Sequence, residues 1–169
     1  VPIRKYVIEL DANDIADCVE ATNERIKLIK QKNYQHRFTS LAKKHDPFNR
    51  DGHYLAFLTE LATARYFGVK YNFDIGPDAS RTDLVNGCQV RSTRRINGCL
   101  IVQEFDKPAP FVFAVPLDTD NQIMLVGWRD LVDCRLEKYW RTDVPKPAWF
   151  VPQTDLHDMV SLKAKMMFV

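Results

Sequence analysis

Glycine is scarce in this chain of 169 residues, with six in all, and no internal repeat or low-complexity stretch occurs. Collagen-like, linker-like and disordered classes are thereby excluded. No apolar run approaches the roughly 20 residues that span a bilayer, so neither a membrane helix nor a membrane partner is expected. The opening residues lack the charged-then-apolar pattern of a secretory leader, and Val1 rather than Met stands first, which leaves room for an earlier segment. The four cysteines (Cys18, Cys88, Cys99 and Cys134) form no CxxC pair. Together with His36, His45, His53 and His157 they show no zinc-ligand spacing. Buried free thiols in a reducing compartment are therefore expected, and the location is read as cytoplasmic.

What is present describes an ordinary globular protein: 46% hydrophobic residues, 27% charged, and a length that favours one domain with a sizeable core. A single domain over 1–169 is expected, with an N-terminal helix and basic connection at 1–50, a core at 51–159 and a tail at 160–169. The net charge is only +2, but it is unevenly spread. Between Glu24 and Arg50, eight basic residues face two acidic ones, giving +6 locally and −4 elsewhere. Arg37, Lys43, Lys44 and Arg50 belong to this segment. A basic region beside a mildly acidic remainder suits a polyanion-facing surface, and equally a solvated helix end with a charged loop.

Ile3 to Leu10 reads as a short strand. Asp11 or Asn13 then caps a helix in which Ile15, Cys18 or Val19, Thr22, Ile26 and Ile29 recur at helical spacing. From Lys32 to Arg50 the pattern breaks into a polar connection, the segment best placed to be ordered by a ligand. Asp51 is expected to cap a second helix that runs to about Phe67 and stops at Gly68. After a turn-rich stretch from Asp74 to Arg81, strands are expected over Thr82–Val85, Cys88–Arg94, Cys99–Phe105, Phe111–Leu117 and Gln122–Trp128. A helical or irregular piece over Asp130–Tyr139, a Pro-rich extended stretch and a Met-rich end follow. Helices first, then strands, point to an α+β or three-layer α/β domain.

Two features carry chemistry. The second helix is apolar almost all round, and Glu60 interrupts it among Phe57, Ala56, Ala64, His53 and Phe67. Desolvating a lone carboxylate costs several kcal/mol unless it is paired, so Glu60 is either functional or bound to an Arg or backbone amide. The second feature is Thr82 to Thr93, two β-type runs around Asn86-Gly87. A two-residue turn would pair Asp83 with Val90 and place it opposite Gln89 and Arg91. A three-residue Val85-Asn86-Gly87 loop would instead pair Leu84 with Cys88 and Asp83 with Gln89. The second is preferred, because it gathers Asp83, Gln89 and Arg91 on one face and leaves Leu84, Cys88 and Val90 for the core. An edge hairpin with polar residues facing water is the plainer alternative.

A helical Glu, an Asp opening a hairpin and an acidic-x-Lys-Ser-Thr-like strand resemble the PD-(D/E)XK nuclease superfamily, small phage-encoded members above all. The similarity extends to Gly127-Trp128 and to Pro152, Leu156 and Met159. The resemblance implies a restriction-endonuclease-like core: a central mixed sheet of four to five strands flanked by helices. It implies Mg2+ or Mn2+ as cofactor, with Asp83 as principal ligand, Glu60 as a second, and Gln89 in the acidic position. Arg91 takes the Lys position, where its high pKa prevents it acting as a base, though it can bind phosphate in two-pronged fashion. Pro77-Asp78 spells the family's nominal dipeptide, but Asp83 is preferred.

Arg94 and Arg95 follow the motif as candidates for contact with a nucleic-acid backbone. His53 reads best as a helix-start hydrogen-bonding residue, and Thr93 shares strand parity with Arg91. The function expected is a metal-dependent phosphodiesterase acting on DNA rather than RNA, linked to replication, recombination or restriction and working in a host cytoplasm if phage-encoded. The rival is a nuclease-like domain that has lost catalysis and binds nucleic acid or a protein partner, a homodimer included. A structural or assembly role, resting on the aromatic-rich tail, has least support.

Overall fold

The computed structural model describes residues 3–32, 49–76 and 82–167. Strand β1 (Tyr6–Glu9) leads into helix α1 (Ala12–Lys32), whose start is fixed by a reciprocal cap. The Asp14 amide donates to Asp11 Oδ1 at 2.8 Å, and the Asp11 amide donates to Asp14 Oδ2 at 3.0 Å. Helix α2 (Arg50–Phe67) is capped by Asn49, not by Asp51 as the sequence suggested. Asn49 adopts a left-handed conformation and accepts the Gly52 amide, while Asp51 is drawn to the Arg94 guanidinium. Gly68, also left-handed at φ 68°, ends the helix as expected.

Among the described residues, seven strands form two sheets. β2 (Gln89–Ser92), β4 (Pro110–Pro116) and β5 (Gln122–Asp130) join β1 in a mixed four-stranded sheet of order β1-β5-β4-β2. Only the β2–β4 pair is parallel. β3 (Leu100–Val102), β6 (Trp140–Arg141) and β7 (Ala148–Val151) make a second, antiparallel sheet of order β3-β7-β6. The Pro-rich extended stretch thus supplies strands that pair with the segment after Cys99, a sheet the sequence did not announce. Short helices α3 (Leu131–Cys134) and α4 (Met159–Met167) complete the order.

The mixed sheet divides two cores. On one face, Val112 and Ala114 of β4 pack with Phe57, Leu58 and Leu61 of α2, Cys18 of α1 and Met159 of α4. On the other, Phe111, Phe113 and Val115 pack with Leu100 and Val102 of β3, Val151 of β7 and Leu131 of α3. Strand β4 is buried on both faces, which is why its sequence runs apolar without alternation. The result is a mixed α/β arrangement with helices and a small sheet against a four-stranded one. Buried Thr22, Thr59 and Thr63 return their hydroxyls to carbonyls one turn back, so α1 and α2 carry them without loss of hydrogen bonding.

The end of β5 is fastened to the tail. Trp128 and His157 exchange backbone hydrogen bonds at 3.0 and 2.9 Å, and Trp128 Nε1 donates to Ser161 Oγ at 2.9 Å. Gly127 is needed there because a Cβ would lie 2.7 Å from the His157 carbonyl oxygen. All four cysteines are free, with Cys18, Cys88 and Cys134 buried and Cys99 half-buried. Burial pushes the three buried thiols up to about 12. No helix among the described residues is long and apolar enough to cross a membrane.

Candidate functional site

β2 is an edge strand of the mixed sheet, and the residues singled out by sequence gather around its start. The segment before it is a turn rather than the strand expected over Thr82–Val85. The Leu84 amide donates to the Cys88 carbonyl at 3.1 Å and the Gly87 amide to the Leu84 carbonyl at 3.0 Å. Gly87 takes φ 90°. This is the three-residue loop, with Leu84 opposite Cys88 and with Leu84, Cys88 and Val90 in the core. No second strand forms because side chains supply the pairing. Asp83 Oδ2 accepts the Val90 amide at 2.7 Å, and Thr82 Oγ1 donates to the Leu84 carbonyl at 2.7 Å.

Asp83 is thereby anchored to β2 and meets Gln89. With its NH2 group turned toward the carboxylate, as an acceptor-only neighbour demands, the Gln89 amide donates to Asp83 Oδ2 at 2.7 Å and Oδ1 at 3.2 Å. Burial raises the Asp83 carboxyl above its usual range. The Val90 amide and the charges of Arg91 and Arg25 oppose that rise, and Asp106 reinforces it.

Glu60 approaches from α2. It and Asp83 line one cleft of about 550 Å3, with Arg25, Lys70, Tyr71 and Asp74 also on its wall. The Tyr71 hydroxyl donates to Glu60 Oε2. Burial, reinforced by the Asp83 charge, pushes the Glu60 carboxyl up to about 8, although the Tyr71 hydrogen bond and the charges of Arg25 and Arg91 favour its ionised form. Tyr71 is itself raised, first by burial and then by Glu60. At neutral pH the cleft therefore holds a protonated Glu60 beside Asp83, a proton store of the kind found where carboxyls crowd in a partly desolvated space.

Arg91 shares its face of β2 with Gln89, two residues before it, but reaches to the loop after β3. Its guanidinium donates to Asp106 Oδ1 at 2.6 Å and lies over the Phe111 ring at 5.1 Å. Asp106, its side chain 7% exposed, also accepts the Gln103 amide at 2.7 Å. Arg91 thus acts on Asp83 and Glu60 through its charge, while its hydrogen bond goes to Asp106. Arg94, expected to be available to a backbone phosphate, is held by Asp51 at 2.7 Å and Asp120 at 2.9 Å. Arg50 reaches Asn23. His53 is buried in α2. Arg37, Lys43 and Lys44 lie outside the described residues, as do Pro77 and Asp78.

Sequence reasoning missed four residues here: Arg25, Lys70, Tyr71 and Asp106. Arg25 was counted within the basic segment, but its stacking over Phe57 at 4.2 Å and its bond to the Asp74 carbonyl turn it into the cleft. Nothing in the spacing of Asp106 or Tyr71 signals a partner, because both act across loops. Compared with family models, with curated proteins and with solved structures, the chain finds no match.

Proposed function

We propose that this chain is a nuclease-type domain of the PD-(D/E)XK kind with a restriction-endonuclease-like core, acting as a Mg2+-dependent phosphodiesterase on DNA. The observation that carries this reading is the meeting of Glu60 and Asp83 in one cleft, with Asp83 bonded to the strand that bears Gln89 and Arg91. The donor chemistry fits a hard cation. Two carboxylates and one amide oxygen suit Mg2+, which is commonly held by one or two carboxylates and completes its shell with water and substrate phosphate. Among the described residues no three His, Cys, Asp or Glu side chains converge, so a larger acidic ligand set is not part of the proposal. When bound, the metal would activate water and neutralise charge on the phosphate.

The chain's own residues have distinct tasks in this reading. Asp83 is held at fixed orientation by the Val90 amide, and Gln89 turns its amide oxygen inward once a cation replaces the acceptor contact. Glu60 must release its proton to serve as a ligand, so cation binding and proton release are coupled at this residue. Arg25 and Lys70 place positive charge on the cleft wall, where a phosphate would sit. Arg91, a guanidinium, would orient water or phosphate rather than abstract a proton.

Incubation with single-stranded, duplex and branched DNA in Mg2+ or Mn2+ tests the proposal. Metal-dependent cleavage abolished by Asp83→Ala is expected. Activity that survives this substitution would place the chemistry elsewhere. A second reading, a nuclease-like module that binds nucleic acid without cutting it, is favoured by the Arg91–Asp106 ion pair and by the missing acid at Gln89. It predicts salt-dependent DNA affinity without metal and no cleavage under any condition.

A further inference from the structure

A second depression, of about 460 Å3, opens beside β2 and the turn that follows it. Its floor is apolar: Phe113, 1% exposed, with Ile101 of β3 and Phe150 of β7. Its walls carry Arg91, Arg95 and Arg141, and no acidic side chain lines it. Arg91 and Arg141 are steadied from outside by Asp106 and Asp143, at 2.6 and 2.9 Å. Arg141 also lies over the Phe150 ring, its guanidinium carbon 4.9 Å from the ring centre. Arg95 is exposed, and no described carboxylate pairs with it.

A third depression continues the track. It shares Asn97 and Cys99 with the second, and Lys5, Gln153 and Thr154 line it, again with no acidic side chain. Arg91 adjoins the carboxylates at the other end, because it follows Gln89 by two residues on β2 and the Gln89 amide meets Asp83. The two depressions together make a cationic path toward the cleft, with no acidic lining among the described residues and an aromatic floor in the first of them.

From this juxtaposition we infer that the path holds one unpaired strand of nucleic acid, with phosphates on Arg95 and Arg141 and a base against the Phe150–Ile101 floor. The inference rests on the nuclease-type reading for the direction of the strand, which enters the carboxylate cleft past Arg91. An alternation of guanidinium and aromatic surface is how sequence-tolerant single-strand sites work. The depression falls within the range of about 300–1,000 Å3 typical of small-ligand pockets, room enough for one nucleotide. Arg94, locked between Asp51 and Asp120, is outside this path.

The test is fluorescence anisotropy of a labelled oligothymidylate with the full chain in EDTA over a salt series. Each phosphate contact on a single strand contributes about 0.7 to the slope of log affinity against log salt. The Arg95→Ala/Arg141→Ala double variant should therefore lose about 1.4 of slope and bind at least about tenfold more weakly. A double Arg→Lys variant should keep the slope, and blunt duplex should bind more weakly than the single strand. Wild-type protein that ignores oligothymidylate, a double Ala variant with unchanged slope, or equal displacement of the strand by polyglutamate would each overturn the inference. Wild-type cleavage and the binding of the double Ala variant, read side by side, separate the two proposals. Strand binding retained without any cleavage by wild type supports the path and counts against the phosphodiesterase reading alone. Cleavage together with an unchanged double Ala variant counts against the path alone.

Discussion

Glutamine in place of Glu60 keeps the shape of the side chain and its acceptor for Tyr71 but removes the titrating proton. An unfolded Glu60 ionises near 4.5, whereas in the folded chain burial and the neighbouring Asp83 push it up to about 8. Between these values the folded protein keeps a proton that the unfolded chain has released. The contribution of Glu60 to stability is thus fully present below about 4.5 and is lost as pH rises through about 8. The full linkage would be about 1.4 kcal/mol for each pH unit, and partial exposure of the side chain reduces it to roughly half. From about pH 5 to about pH 7, Glu60→Gln should gain about 1.4 kcal/mol relative to wild type. Urea denaturation at both values reads this as a divergence of midpoints at constant slope. Parallel loss of stability in the two proteins would show that Glu60 ionises in its ordinary range, and the proton-holding cleft would be refuted.

Other substitutions test the packing and the charge network. Gly127→Ala sets a methyl group 2.7 Å from the His157 carbonyl oxygen and 2.9 Å from Leu156 Cβ. It should cost about 1–3 kcal/mol in urea unfolding as the tail is forced off β5. Arg91→Met leaves Asp106 with the Gln103 amide but no cation, and a loss of about 2–3 kcal/mol at neutral pH is expected. Urea midpoints of the two proteins at neutral pH read this loss directly. Tyr71→Phe removes a hydrogen bond that favours ionised Glu60, so the pH midpoint of Mn2+ binding should move upward.

How much of this was legible in the residues varies by element. The spacing of Ile15, Cys18, Ile26 and Ile29, and the stop at Gly68, place α1 and α2 because helical burial repeats locally. The loop around Asn86-Gly87 was also readable, since Leu84, Cys88 and Val90 must be buried together and only one register allows it. Asp51 misled, because a cap competes with a tertiary partner and Arg94 prevails from 43 residues away. The second sheet was hidden for a similar reason: β3 and β7 are short, and their pairing of Leu100 with Val151 spans too much chain for any local pattern. At the site, Glu60 stands out as a carboxylate in an apolar helix, whereas Asp83 and Gln89 were reached through the hairpin around Asn86-Gly87 and a family resemblance. Arg91 was placed on its strand, but its ion pair with Asp106 was not foreseen, since nothing near it in sequence announces that residue.

The central claim is that Glu60 and Asp83 form a divalent-cation site together with Gln89. Anomalous diffraction from crystals soaked in Mn2+ above about pH 8, where Glu60 has released its proton, tests this directly. One ion is expected at about 2.0–2.2 Å from an Asp83 oxygen, with Glu60 and the Gln89 amide oxygen in its inner or water-bridged shell, and absent from Asp83→Ala crystals. An empty cleft under these conditions, or an ion bound elsewhere and indifferent to Asp83→Ala, would contradict the account.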